Sequence, residues 1–125
     1  MVRGERALDF VQYITTNDAS KIEVGQAQYS TLCNENGFLL DDLLVYRFAD
    51  YYMLVVNGAN HDKDWAWVSR FAGQFGVELV DRTDDIALLA LQGPKAQAIL
   101  SRLTDHDLDA IRYYRFAEGL SLIHI

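Results

Sequence analysis

Apolar positions fall into short blocks separated by turn-forming residues. Residues 1–4 read as the end of a strand. Across residues 5–14, Leu8 and Val11, or Ala7, Phe10 and Ile14, share one face at helical spacing, and the polar run Thr15-Thr16-Asn17-Asp18 closes that helix. Gly25 marks a turn before a strand over residues 26–33. The turn Asn34-Glu35-Asn36-Gly37 predicts a hairpin with a second strand over residues 38–48, and a third strand follows Ala49-Asp50 over residues 51–57. Asn60 is placed to cap a helix from about residue 61 to 75, with Asp62 and Asp64 in its first turn, where the helix dipole favours them. Trp65, Val68, Ala72 and Phe75 recur at helical spacing, and Gly76 ends the element. A fourth strand spans residues 77–80, ahead of a polar turn at 81–85.

The order β-α-β-β-β-α-β predicts an α+β fold: an antiparallel sheet with helices on one face, a ferredoxin-like βαββαβ variant. A further strand is expected over residues 86–91. A helix running to Leu103 follows, with Pro94 in its first turn. The chain thus divides into a ferredoxin-like subdomain at 1–83 and the start of a second α/β subdomain, incomplete, at 84–119. The apolar residues 120–125 read as a non-native tail resembling translated adapter sequence, and His124 is given no functional weight.

One feature breaks the apolar pattern. Asp41 and Asp42 lie side by side within Phe38-Leu39-Leu40-Asp41-Asp42-Leu43-Leu44-Val45-Tyr46. Successive side chains of a strand face opposite ways, so the two carboxylates cannot share a surface unless a bulge re-aims one. One Asp must sit on the more enclosed side, at a cost that only a hydrogen-bonding or charged partner offsets. Alternation alone leaves open which one. Such a site points to chemistry or to a ligand.

Composition narrows the field. The chain has 125 residues, half of them hydrophobic, and a net charge of −7, which argues against non-specific nucleic-acid binding. No apolar stretch is long enough to span a bilayer, and no signal peptide is evident. A single cysteine, Cys33, cannot form an internal disulfide and fits a reducing, cytoplasmic setting; it reads as a small buried strand residue.

Six stretches then occur in a recognisable order: Ile14-Thr15-Thr16-Asn17-Asp18-Ala19-Ser20-Lys21; Gly25-Gln26-Ala27-Gln28-Tyr29-Ser30; Asn34-Glu35-Asn36-Gly37; Leu40-Asp41-Asp42-Leu43-Leu44-Val45-Tyr46-Arg47; Val55-Val56-Asn57-Gly58-Ala59-Asn60 with Lys63-Asp64; and Ala87-Leu88-Leu89-Ala90-Leu91-Gln92-Gly93-Pro94. Together they resemble the N-terminal part of the glycine cleavage system T proteins, the tetrahydrofolate-dependent aminomethyltransferases. That resemblance implies transfer of a methylene from the aminomethyl-lipoyl arm of an H protein to tetrahydrofolate, with release of ammonia. It implies that Asp42 is the key acid near N10 of the folate. It also implies that Tyr29 lines the folate pocket and that Val56 and Asn57 lie along the pterin. No metal is implied. Later residues complete the pocket in that family, so this stretch alone is expected to be inactive.

The remaining polar residues have plainer readings. Asp41 is expected to cap, to pair with Arg47 or to be solvated. Lys63-Asp64 reads as an exposed helix start, His61 and His106 as surface residues, and Trp65 and Trp67 as helix packing. No spacing suggests a metal site. Phe38 departs from the family, which has a second glycine after Gly37, and leaves the hairpin turn open. Two other functions share the fold: a folate-binding module of a sarcosine or dimethylglycine dehydrogenase, and a folate-binding iron-sulfur assembly factor. The retained Asp-Asp and Ala-Gln-Tyr-Ser favour the transferase.

Overall fold

A computed structural model describes residues 1–119 of the chain; the proposed tail at 120–125 lies outside the described residues. Strands β1 (Val2–Arg3), β2 (Gln26–Cys33), β3 (Leu39–Arg47), β4 (Tyr52–Val56) and β5 (Glu78–Leu79) form one sheet in the order β2-β3-β4-β1-β5. Every neighbouring pair is antiparallel. The run β3-β4-β1-β5 has the split order of a ferredoxin-like sheet, and β2 extends it beyond β3. The α+β expectation therefore holds.

Helices α1 (Ala7–Ile14) and α2 (His61–Phe75) pack on one face. Alternation decides which strand residues meet them. On β3 the buried positions are Asp41, Leu43 and Val45; on β2 they include Ser30 and Leu32. These meet Phe10, Val11 and Ile14 of α1 and Val68 and Phe75 of α2 in a single apolar core. Phe10 is fully buried, with its ring edge-on to Phe75 at 5.9 Å. Gly76 ends α2 with φ 64°, a left-handed cap that glycine adopts without Cβ strain.

The β2–β3 hairpin closes through Asn34, not through a second glycine. Asn34 Oδ1 accepts from the backbone N–H of Asn36 and of Phe38, each at 3.0 Å, while Gly37 alone takes a positive φ of 78°. Phe38 needs no left-handed conformation and points to solvent.

The ladder also shifts register between Leu32 and Cys33: Leu32 faces Asp41 and Cys33 faces Leu39, so Leu40 is an extra residue. This bulge sits immediately before the two aspartates. Cys33, expected to be buried, is only half-buried at this irregular strand end.

Beyond residue 83 one expectation fails and another is met in shortened form. Residues 86–91 form no strand: Leu88 and Leu89 are exposed, and no described backbone pairs with the run in a ladder. Apolar composition does not make a strand without a partner edge for its N–H and C=O groups. The helix after Pro94 is a short one, α3 (Ala96–Leu100). The sequence gives no sign of a further contact. Residues 114–116 return to the outer edge of β2, where Ala27 N–H donates to the Tyr114 carbonyl at 2.9 Å and Phe116 N–H to the Gly25 carbonyl at 3.0 Å. The Phe116 ring packs on Tyr46 and Phe48.

The core predicts its own weakest substitution. Phe10→Ala removes a fully buried ring that joins both helices to the sheet. It should cost about 3–5 kcal/mol of stability, read as a lowered midpoint in urea unfolding followed by circular dichroism.

Candidate functional site

The face of the sheet away from the helices carries the residues that the sequence singled out. Thr31 pairs with Asp42 and Tyr29 with Leu44 across β2 and β3, so Tyr29 stands diagonally from Asp42 on the same face. On the other side Leu43 pairs with Val56, which brings Asn57, the next residue, alongside Asp42. The result is a clamp. Tyr29 Oη donates to Asp42 Oδ2 at 2.7 Å, and Asn57 Nδ2 donates to Asp42 Oδ1 at 2.8 Å. Each carboxylate oxygen keeps a second lone pair, and Asp42 is only partly covered. A donor on a bound molecule can therefore still reach it. The hydrogen bond to Asp42 raises the Tyr29 phenol above its ordinary value, because a phenolate there would lose the bond and face a carboxylate.

Three of the four expected site residues thus meet in one cluster. Val56 stands apart. Its pairing with Leu43 puts its side chain on the helix-covered face, where it packs against the core. Val55, paired with Leu44, shares the face of Asp42.

Asp41 does not match its plain reading. It is 8% exposed and turned toward the helices, while Arg47 donates instead to the Ile22 carbonyl at 2.6 Å. Asn57 Nδ2 reaches Asp41 Oδ1 at 3.1 Å as well as Asp42, so one amide bridges both aspartates across the strand. Burial pushes the Asp41 carboxyl up, but hydrogen bonds from Asp64, Asn57 and Asn60 outweigh it and hold Asp41 below its ordinary value.

Asp64 overturns the expected exposed helix start. It is 1% exposed, inside the first turn of α2 and against Asp41. Burial first, then the hydrogen bond and charge of Asp41, raise its carboxyl to about 6. Asn60 stands at the N-cap position but makes no side-chain cap bond. Lys63 reaches back across the bulge and donates to the Leu40 carbonyl at 2.7 Å. The spacing did carry a signal for Asp64: it lies four residues before Val68, on the buried stripe of α2. Dipole complementarity at the helix start hid it.

His61 joins the start of α2 to the turn after β5, with Asp62 and Asp81 each 2.9 Å from a ring nitrogen; these two carboxylates raise its ordinary value. Trp67 packs edge-on against Phe71, as expected of a helix residue. Beside the cluster lies a cavity of about 460 Å³, lined by Val55, Val56, Trp65, Val68, Ile86 and Leu88 among others. Asp64 borders it, whereas Tyr29, Asp42 and Asn57 do not. Among the described residues, no group of three or more His, Cys, Asp or Glu is arranged to hold a metal ion, and no helix is long and apolar enough to cross a membrane.

Comparison with known proteins gives this geometry a family. The family model described as the GCVT N-terminal domain matches residues 1–124. The chain belongs to the GCVT N-terminal domain family. An aminomethyltransferase of Caldanaerobacter subterraneus is 46% identical over 123 residues, 98% of this chain and 33% of that protein. The aminomethyltransferase of Chloroherpeton thalassium is 49% identical over 119 residues, 94% of this chain and 33% of that protein. The crystal structure of glycine cleavage system aminomethyltransferase T from Bartonella henselae superposes with a TM-score of 0.75 at 30% identity, covering 91% of this chain and 31% of that one. The chain spans about a third of the length of the relatives it matches.

Within this GCVT domain the clamp makes a direct prediction. Asp42→Asn replaces the carboxylate beside Tyr29, so the Tyr29 phenol should titrate closer to its ordinary value of about 10. The measurement is the tyrosine ring-carbon chemical shift against pH. An unchanged Tyr29 midpoint in the variant would contradict the clamp.

Proposed function

We propose that this chain supplies the acid–base part of a tetrahydrofolate-dependent aminomethyltransferase, in which Asp42 assists the folate N10. The observation that carries the reading is the clamp. A partly open carboxylate is held by Tyr29 and Asn57 on a rigid sheet, in a chain whose relatives are named aminomethyltransferases.

N10 of tetrahydrofolate is a weak, aniline-type nucleophile, and its attack on the transferred carbon develops positive charge. A carboxylate fixed beside it can take the proton or stabilise that charge. Asp42 has acceptor capacity left for this task on both oxygens. Tyr29 and Asn57 hold it without neutralising it, since both are neutral donors. Tyr29 is also 49% exposed and offers its ring as an aromatic wall for a flat ligand. Val56 would contribute backbone rather than side chain on this face, and Val55 the aliphatic surface.

In this reading the methylene donor is the aminomethyl-lipoyl arm of an H protein, the acceptor substrate is tetrahydrofolate, and the products are 5,10-methylenetetrahydrofolate, ammonia and the reduced lipoyl arm. The setting is cytoplasmic. The whole reaction belongs to the longer protein of which the relatives are examples, and this chain contributes one wall of its site.

The test is Asp42→Asn in the full-length enzyme carrying this sequence. Asparagine keeps the shape and one acceptor but cannot take a proton. Turnover should fall roughly 100- to 10,000-fold, with folate affinity, measured by titration calorimetry, largely retained. Near-normal turnover would reject the role given to Asp42.

A further inference from the structure

We propose that Asp64 is a positioning residue for Asp42: its carboxyl and that of Asp41 share one buried proton, and the pair sets, through the Asn57 amide, how firmly Asp42 is held.

The geometry leads there in steps. Asp64 is 1% exposed and Asp41 8%. Both oxygens of Asp64, and Oδ2 of Asp41, are buried with no N–H or O–H donor if all the carboxyls are ionised. Two adjacent, desolvated carboxylates with three donorless oxygens would be strongly destabilising. A single proton on Asp64 removes one charge and supplies the missing donor, directed at Asp41. The opposing shifts of the two acids agree with that assignment: Asp41 is the carboxylate, and Asp64 is raised to about 6.

The charged and titratable groups around the pair leave this assignment standing. Asp41 faces Asp64 from β3. Lys63 and His61 of α2 act in the opposite sense on Asp64, lowering it, and burial together with Asp41 outweighs them. Lys63 is engaged by the Leu40 carbonyl, and His61 by Asp62 and, from beyond β5, Asp81. The part of α1 that reaches the core is apolar: Phe10, Val11 and Ile14.

The link to Asp42 is Asn57. Its side-chain nitrogen has two hydrogens and three acceptors within reach: Asp42 Oδ1 at 2.8 Å, Asp41 Oδ1 at 3.1 Å and the Asp42 carbonyl at 3.2 Å. They compete. With the proton on Asp64, Asp41 has another donor and Asn57 is free to lean to Asp42. Once Asp64 ionises, Asp41 must draw more heavily on Asn57, and the hold on Asp42 slackens. The pair therefore favours the clamped form at the lower pH.

That this matters for catalysis rests on the role proposed for Asp42, which Asp42→Asn tests separately. The titration below involves no folate, so either idea can fail alone. The experiment is carboxyl carbon-13 NMR of this chain against pH, together with the side-chain NH2 resonances of Asn57. One carboxyl of the pair should titrate near 6 rather than near 3.8. The Asn57 resonances should move with the same midpoint. That step should vanish in Asp64→Asn, whose amide donates to Asp41 at every pH, and should persist in His61→Gln. Titration of both carboxyls at or below 4, a wild-type Asn57 signal without the step, or a step that survives Asp64→Asn would each overturn the proposal. If Asp64→Asn does not fold, the wild-type midpoints of the carboxyl and of Asn57 decide it.

Discussion

β3 lies in register between β2 and β4, and a slip of one residue would exchange the faces of every side chain it carries. Leu43 and Val45 would leave the core, Asp42 would enter it, and Asp41 would emerge beside Tyr29. The burial of Leu43 and Val45 against α1 and α2 is therefore what chooses between the two aspartates. No property of either carboxyl does so, because the residues are chemically identical. The core assigns the open role to one and the enclosed role to the other. The apolar packing and the polar site are in this sense a single constraint, read on two faces of one strand.

That constraint creates a cost at Asp41, and the structure meets it from several directions. The bulge at Leu40 frees a carbonyl, which Lys63 takes. Asn57 brings a neutral donor to Asp41. Neutral amides suit the place better than a lysine or arginine would. A cation beside Asp41 would also lie near Asp42 and offset the negative charge there. The first turn of α2 then supplies Asp64, a second acid. Below about pH 6 that buried acid holds a proton, and it is then an uncharged donor for Asp41.

Much of this was legible in the residues. The strand and helix order, the antiparallel sheet with helices on one face and the meeting of Tyr29, Asp42 and Asn57 all follow from alternation, turn residues and the family stretches. The failures have a common cause. Residues 86–91 look like a strand because strand propensity is a local property, while a strand needs a neighbouring backbone that the pattern cannot display. The helix dipole, a local effect, predicts an exposed Asp64, while its environment is set by β3, distant in sequence. The second glycine missing at Phe38 had no consequence for the turn, because Asn34 Oδ1 holds both following N–H groups. For residues 86–91 and for Asp64 the deciding partner lies outside the window in which a sequence pattern is visible.

The placement of the clamp on β2, β3 and the residue that follows β4 bears on the role proposed for Asp42. Tyr29 and Asp42 lie on β2 and β3, so their separation is fixed by ladder hydrogen bonds, and Asn57 directly follows Val56, the last paired residue of β4. A carboxylate on a loop would have to be ordered each time a ligand arrived, and that entropy would oppose the reaction. Here the ordering is completed on folding, so in the proposed role an incoming nitrogen would meet an acceptor already aimed. The same rigidity explains the need for a second acid beneath. A sheet that cannot shift to relieve strain at Asp41 must be matched chemically instead, and a shared proton is the smallest adjustment available within a packed core.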